Sequence, residues 1–133
     1  MRARDIMTAS PICVTPRTRL GETIEIMHAN EVRHIPVVEG QRLVGIISDR
    51  DLRALWDPAL DVQVRDGRVY DRRVSDFMSA DPLTVDSEDD VDEVIDLLVE
   101  HRVGAIPVVD AEGTLVGIVS YIDILRAARG QLD

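Results

Sequence analysis

The sequence is poor in residue types that carry catalytic chemistry or form cross-links. It has no lysine, so all 15 basic residues are arginine, and Schiff-base or lysine general-base chemistry is excluded. Cys13 is the only cysteine, which excludes an intramolecular disulfide and a cysteine-based metal site. Aromatic residues make up 3% of the chain, so the core must be built from Val, Ile, Leu and Ala.

Long apolar segments are also missing. No apolar run approaches the roughly 20 residues that a membrane-spanning helix needs. No apolar segment typical of a signal peptide follows the charged residues 1–5. Because a single cysteine also suits a reducing compartment, we expect a cytoplasmic protein without a membrane partner.

No catalytic constellation stands out either. The chain lacks the glycine–lysine pattern of a P-loop, a cluster of metal ligands and a clear nucleophile–base pair. We therefore expect a protein that is not an enzyme and that has no metal site.

Charge is unevenly distributed along the chain, whose net charge is −10. Residues 1–73 carry 12 Arg against 11 acidic residues, whereas residues 74–133 carry 3 Arg against 14 acidic residues. Nucleic acid is therefore an unfavourable partner, because binding to its phosphate backbone needs a basic surface. The simplest interpretation of the acidic half is a solvated surface.

The dominant feature of the chain is an internal duplication. Residues 43–52 (LVGIISDRDL) predict a buried strand that runs directly into a helix, and residues 115–124 (LVGIVSYIDI) repeat this pattern. Upstream segments match at an offset of 71 residues, which becomes 72 after a turn that is one residue longer in the second copy. Turns tolerate insertions better than strands do, so this difference is typical of a structural repeat.

Each copy predicts the order β-α-β-β-α, which indicates an α/β (α+β) fold of two tandem repeats with pseudo-two-fold symmetry. Pro36 lacks an N–H, which favours an edge position or a sheet irregularity for its strand. In the first copy the predicted elements are a brief strand at 11–14, a helix over about 20–30, strands at 34–38 and 42–47, and a helix from Asp49 to about Trp56, ended by Pro58. The predicted domains are a first repeat at 1–56, a linker at 57–73 and a second repeat at 74–129.

The strand-to-helix junction carries the residues with the clearest binding chemistry. Ser48 lies at the start of the helix and Asp51 lies three residues later, and Ser120 and Asp123 repeat this spacing. A helix N-terminus favours anions, and a carboxylate suits the hydroxyls of a sugar. The alternative is a capping box, in which the serine and the aspartate satisfy each other's backbone N–H groups. The two interpretations can hold together.

These residues resemble a CBS-domain pair, also called a Bateman module, as a stand-alone protein. The matching segments are residues 5–8, 14–16, 33–38 and 45–52, with their counterparts in the second copy. The resemblance implies a regulatory module that binds AMP, ADP or ATP in clefts between the strands and helices of its repeats and that modulates a partner protein. S-adenosylmethionine and NAD are less expected ligands, and no cofactor is required. A homodimer and an unknown effector protein are also implied.

The resemblance assigns roles to individual residues. Asp51 and Asp123 would accept hydrogen bonds from ribose, and the hydroxyls of Ser48 and Ser120 would approach the phosphate. The backbone before each proline would border the adenine. An early-strand residue would point into each cleft, and the first cleft lacks a hydroxyl there because it has cysteine where the second has threonine. The candidate ligand-binding set is Cys13, Arg33, His34, Ile35, Pro36, Ser48, Arg50, Asp51, Thr84, Ala105, Ile106, Pro107, Ser120 and Asp123.

The basic side chains near the first junction have two interpretations. Arg33 and Arg50 could pair with phosphate oxygens or with acidic neighbours, and His34 could line a ligand or be an ordinary half-buried residue. We interpret Tyr121 as the residue that replaces Arg50 in the second repeat, so the second junction offers less positive charge. This difference predicts that the first cleft prefers phosphate-rich ligands and that the second binds more weakly or selects differently.

A second function is open at this point. The chain could be a non-catalytic dimerisation or interaction module whose ligand clefts are vestigial. A nucleotide sensor predicts saturable binding that is lost in Asp51→Ala, whereas an interaction module predicts no binding and an unchanged dimer.

Overall fold

The computed structural model of the chain describes residues 1–53, 55 and 67–130. It has the mixed α+β character that the duplicated pattern predicts. The elements are α1 (Ala3–Ile6), β1 (Thr8–Ala9), α2 (Leu20–Asn30), β2 (His34–Glu39), β3 (Arg42–Ser48), α3 (Asp49–Arg53), β4 (Ser79–Ala80), β5 (Val85–Asp86), α4 (Val91–His101), β6 (Ala105–Val109), β7 (Leu115–Ser120) and α5 (Tyr121–Arg129). Two 3-10 helices cover Arg68–Asp71 and Val74–Asp76. The predicted end of the α3 helix at Trp56 and Pro58 lies outside the described residues.

The two 11-residue helices form for the same reason in each repeat. Helix α2 buries Leu20, Thr23 and Met27, which share one face at helical spacing. Helix α4 buries residues at the same relative positions: Val91, Val94 and Leu98. Each helix is closed by a residue with left-handed backbone, whose N–H returns to the last turn: Glu31 (φ 53°) and Arg102 (φ 53°).

The strands form two sheets, with the orders β1-β7-β6-β5 and β2-β3-β4. Strands β5 and β6 are parallel, whereas β6–β7, β1–β7 and β3–β4 are antiparallel. Strand β2 lies at the edge of its sheet, as Pro36 predicted. A single isolated bridge joins its Val37 to Val14. The equivalent Pro107 lies in β6, which has a neighbouring strand on each side.

The strand predicted at residues 11–14 is shorter than expected. Only Val14 pairs with β2: its N–H donates to the Pro36 carbonyl at 3.1 Å, and the Val38 N–H donates to the Val14 carbonyl at 2.9 Å. Prolines at positions 11 and 16 flank this residue and have no N–H to extend a ladder.

The chain divides into two compact units. The Ser48 unit comprises the described residues within 12–40 and 44–81, and the Ser120 unit comprises residues 1–11, 41–43 and the described residues from 82 onward. Each unit has its own cluster of buried apolar side chains. The cluster of the Ser48 unit is Val14, Leu20, Met27, Ile35, Val37, Ile47, Leu52, Leu55, Val69 and Val74. The cluster of the Ser120 unit is Ala3, Val85, Val94, Leu98, Ile106, Val108 and Val119.

Each unit contains a short strand that belongs, in the sequence, to the other repeat. In the Ser120 unit, Thr8 of β1 faces Ile118 of β7. In the Ser48 unit, Ser79 of β4 faces Ile46 of β3. Thr8 and Ser79 are equivalent at the 71-residue offset, and Ile118 and Ile46 are equivalent at the 72-residue offset. The same register therefore occurs twice, and each repeat supplies the lead-in strand of the other unit.

The part of the predicted linker that the structure describes is packed rather than extended. Val69 is 2% exposed within the core of the Ser48 unit. The Leu20 N–H donates to the Arg72 carbonyl at 2.9 Å, and the Val74 N–H donates to the Thr18 carbonyl at 2.8 Å. Residues 67–73 thus anchor the start of α2, and residues 57–66 of the predicted linker lie outside the described residues. The repeat boundaries at 1–56 and 74–129 stay a prediction.

None of the helices in the described part of the chain combines the length and the apolar character that a membrane crossing needs.

Candidate ligand-binding site

The junction between β3 and α3 is closed by reciprocal hydrogen bonds between Ser48 and Asp51. The Ser48 N–H donates to Asp51 Oδ2 at 2.8 Å, and the Ser48 hydroxyl donates to the same oxygen at 3.1 Å. The Asp51 N–H in turn donates to Ser48 Oγ at 3.3 Å. This is the capping-box alternative that the spacing predicted. The aspartate uses only one carboxylate oxygen for it.

The junction between β7 and α5 has the same geometry. The Ser120 N–H and hydroxyl donate to Asp123 Oδ2 at 2.8 and 3.1 Å, and the Asp123 N–H donates to Ser120 Oγ at 3.4 Å. Asp123 is 8% exposed. Its second oxygen, Oδ1, accepts a hydrogen bond at 3.1 Å from the hydroxyl of Thr8. Among the described residues no such bond joins Asp51 to Ser79, the equivalent of Thr8.

The first N–H of α3 and of α5 is bound by the carbonyl of the residue that precedes β2 or β6, respectively. The Asp49 N–H donates to the Arg33 carbonyl at 2.9 Å, and the Tyr121 N–H donates to the Gly104 carbonyl at 3.2 Å. These bonds hold the start of β2 beside α3 and the start of β6 beside α5. They also occupy backbone donors at the helix N-termini that an anion would otherwise use.

His34 lies beside the charged residues of the first junction. Burial lowers the pKa of its imidazole below the ordinary histidine value; the carboxylates of Asp49 and Asp51 oppose this shift, and the guanidinium groups of Arg33 and Arg50 add to it. The neutral imidazole is therefore favoured. These five residues lie at the start of β2 or at the β3–α3 junction, which the bond between the Asp49 N–H and the Arg33 carbonyl holds together, and four of them are in the predicted set.

The two arginines of this group are exposed. Neither Arg33 nor Arg50 forms an ion pair with any residue that the structure describes. Which of the two interpretations of these arginines holds stays a prediction. Both guanidinium groups are available to an anionic ligand.

The remaining predicted residues of the Ser48 unit contribute little side-chain surface. Ile35 and Pro36 are fully buried, so only their backbone could border a ligand. Cys13 is half-buried and precedes Val14, which bonds to the Pro36 carbonyl. Burial raises the pKa of its thiol above the ordinary value.

The predicted residues of the Ser120 unit are also brought together by one sheet. Ala105 of β6 faces Ser120 of β7 in the strand register, and Ile106 and Pro107 follow it along β6. All three β6 residues are buried. Thr84 is exposed and precedes Val85, which pairs with Val108. Their roles in ligand binding stay predictions.

One correspondence between the repeats is wrong by one residue. At the 72-residue offset, Tyr121 replaces Asp49, and the residue that replaces Arg50 is Ile122. Ile122 is 53% exposed. The second junction still lacks a basic side chain, so the expected difference in charge holds.

Thr8 is the residue near the site that sequence reasoning missed. The duplication matched Thr8 with Ser79 and so showed a hydroxyl at both positions. Nothing in the local pattern indicated that Thr8 would reach an aspartate 115 residues away.

Two surface grooves lie near the predicted sites. One, of ≈ 570 Å³, runs between α2 and α3 and includes Arg33 and Asp49 among its lining residues. The other, of ≈ 330 Å³, includes Asp90 and Ile124. Neither groove is lined by Ser48, Asp51, Ser120 or Asp123. Within the described residues no group of His, Cys, Asp and Glu has a metal-binding arrangement.

The comparisons with known proteins agree with the duplicated pattern. The family model for the CBS domain matches residues 3–56 and 74–130. A CBS domain-containing protein of Dictyostelium discoideum is 32% identical over 126 residues, which cover 92% of this chain and 87% of that protein. The inosine-5'-monophosphate dehydrogenase of Methanocaldococcus jannaschii is 30% identical over 126 residues, which cover 94% of this chain but 23% of the dehydrogenase.

Solved structures extend this likeness to the fold. The crystal structure of CBSX2, a protein of Arabidopsis thaliana, in complex with AMP is 31% identical in sequence, with a TM-score of 0.84 over 99% of this chain and 98% of that one. The chain nevertheless spans less than two thirds of several full-length relatives, including 23% of the dehydrogenase. Because the family model matches both halves of the duplication, the chain belongs to the CBS-domain family, with two tandem CBS domains.

Proposed function

We propose that this chain is a regulatory module that binds an adenine nucleotide such as AMP, ADP or ATP and thereby modulates a partner protein. The observation that carries the proposal is the Ser48–Asp51 junction, where the capping box uses one carboxylate oxygen and leaves the other to accept hydrogen bonds from ribose. A relative with the same fold, CBSX2, was solved in complex with AMP, which supports this class of ligand.

The phosphate end of the ligand would be bound mainly by side chains. The Asp49 and Asp51 N–H groups already have acceptors. The unpaired guanidinium groups of Arg33 and Arg50 would therefore supply the charge-assisted hydrogen bonds to phosphate oxygens. The second junction has no equivalent of these arginines, so we expect the Ser48 unit to bind phosphate-rich nucleotides more tightly.

The test is thermal unfolding with AMP, ADP, ATP, NAD and S-adenosylmethionine, each added separately. A ligand at a hundredfold excess over its Kd stabilises the folded state by about 2.7 kcal/mol. For a chain of this size that corresponds to a rise in Tm of roughly 8–10 °C. We expect Asp51→Ala to remove most of the rise, Asp123→Ala to remove less, and the exposed control Asp96→Ala to leave it intact. Loss of the rise in Asp123→Ala alone would reverse the ranking of the two clefts.

A second function is favoured by a separate observation. Three large apolar side chains of the Ser120 unit are exposed on α4 and α5: Val99 (69%), Ile122 (53%) and Leu125 (64%). Exposed apolar side chains of this kind would suit an interaction module that docks on another protein. A folded protein whose Tm responds to none of the nucleotides, with an unchanged oligomeric state, would favour this function over the nucleotide sensor.

The homodimer, the effector protein and the cytoplasmic setting belong to the same proposal. Sedimentation of the purified protein tests the homodimer, and capture experiments with and without AMP test whether an effector is recognised in a nucleotide-dependent manner.

A further inference from the structure

The two aspartates differ in how many hydrogen bonds they can still accept. A carboxylate has two oxygens with two acceptor positions each. In both junctions, Oδ2 is filled by the N–H and the hydroxyl of the serine three residues earlier. Among the described residues, Oδ1 of Asp51 has no donor, whereas Oδ1 of Asp123 accepts from Thr8 at 3.1 Å. Asp51 therefore has two open acceptor positions and Asp123 has one.

The hydrogen bond from Thr8 is not needed to orient Asp123. Two donors from Ser120 already hold the carboxylate, as the same two donors from Ser48 hold Asp51 without a third. Thr8 is held where it is by the pairing of β1 with β7, in which Thr8 faces Ile118. Its hydroxyl thus occupies one of the two acceptor positions of Oδ1, the carboxylate oxygen that a ligand would use.

We propose, on the basis of the nucleotide-binding function above, that Thr8 determines the sugar specificity of the Ser120 unit. A ribose presents two hydroxyl donors, the 2′- and 3′-hydroxyls, and Asp51 can accept from both. Asp123 can accept from one, because Thr8 takes the other position. The Ser48 unit therefore distinguishes ribose from either deoxyribose, whereas the Ser120 unit binds at least one deoxynucleotide as well as it binds AMP.

The test isolates each unit by substitution and titrates AMP, 2′-deoxy-AMP and 3′-deoxy-AMP by calorimetry. In Asp123→Ala, only the Ser48 unit keeps its junction aspartate. Both deoxynucleotides should then bind about tenfold more weakly than AMP, because each loses one hydrogen bond to a charged group. In Asp51→Ala, only the Ser120 unit keeps its junction aspartate. One deoxynucleotide should then bind with a Kd within about twofold of the Kd for AMP.

The decisive variant adds Thr8→Val to Asp51→Ala. Valine keeps the branched shape that suits β1 but removes the hydroxyl, so AMP should bind about tenfold more tightly while the tolerated deoxynucleotide changes little. Thr8→Ser in the same background retains the donor and should behave like Asp51→Ala alone.

Two results would overturn the inference, and only the second would also overturn the proposed nucleotide-binding function. If AMP binds to Asp51→Ala and its preference over the deoxynucleotides is the same with Thr8→Val, then Thr8 does not set specificity and the nucleotide-binding function stands. If the wild-type chain binds none of the three nucleotides, the proposed function and this inference both fail.

Discussion

The carboxylates of Asp51 and Asp123 close the first turns of their helices, which ties the candidate ligand site to local stability. In each junction the serine satisfies the N–H of the aspartate and the aspartate satisfies the N–H of the serine. Because only Oδ2 takes part, capping and ligand binding need not exclude each other. The capping interpretation and the nucleotide interpretation therefore describe two uses of the same side chains.

The cap itself can be tested without any nucleotide. Ser120→Ala removes the acceptor of the Asp123 N–H and one donor to Asp123 Oδ2. We expect the free energy of unfolding to fall by about 1 kcal/mol, measured by denaturant unfolding. Ser75→Ala, at an exposed serine, is the control and should change stability by less than about 0.5 kcal/mol. Equal stability of the two variants would contradict a stabilising cap.

His34 makes stability depend on pH. Burial lowers its folded pKa, so in the pH range between the folded and the unfolded pKa the unfolded chain binds the proton more readily. The free energy of unfolding must therefore fall as the pH drops below about 6.5. The Tm of His34→Gln should fall less than the Tm of wild type as the pH is lowered from about 7 to about 5. His101→Gln, at an exposed histidine, serves as control, and an identical pH profile for wild type and His34→Gln would contradict the expectation.

At the scale of elements, the lead-in strands β1 and β4 are the features that complete each unit. Strand β1 and the preceding helix are held in the Ser120 unit by backbone bonds: the Ala3 N–H donates to the Asp89 carbonyl at 2.8 Å, and the Ser10 N–H donates to the Val116 carbonyl at 3.2 Å. The side chains of Met7 and Met78 fit over a glycine in the strand that each lead-in pairs with, Gly117 and Gly45.

The glycines of β3 and β7 are required because the lead-in segments approach them closely. A Cβ at Gly117 would lie 3.0 Å from the Thr8 carbonyl oxygen and would overlap the Met7 side chain. Gly117→Ala should therefore lower the free energy of unfolding by about 1–3 kcal/mol. Gly130→Ala is the matched control, because its Cβ meets nothing within 4 Å and its φ of −69° suits alanine. Similar Tm values for the two variants would show that β1 does not pack tightly on β7.

At the scale of the whole molecule, the uneven charge predicts a response to salt. The net charge is −10, and the excess of acidic residues lies entirely in residues 74–133. Like charges repel one another in the folded chain, and salt screens that repulsion. We expect Tm to rise as ionic strength increases from about 0.01 M to 0.15 M, and to rise less in Asp96→Arg, which reduces the negative charge at an exposed position. A fall in Tm over this range would show that attractive surface pairs dominate.

Local patterns in the sequence were sufficient to predict much of the fold. The helix over about 20–30 follows from Leu20 and Met27 at helical spacing, because one helix face packs on the core whatever the rest of the chain does. The Ser–Asp junctions were predictable for the same reason, since a capping box involves residues three positions apart. The strand at 11–14 was overestimated, because an apolar run does not show which of its residues find a partner.

The sequence alone determined the duplication, the element order of each repeat and the reciprocal bonds at both junctions, because each depends on residues close together in the chain. Only the tertiary structure decided that each unit takes its lead-in strand from the other repeat. It also decided that residues 67–73, part of the predicted linker, anchor α2, and that Thr8 donates to Asp123. These contacts join residues from 33 to 115 positions apart, and such pairings depend on how whole elements pack rather than on local periodicity.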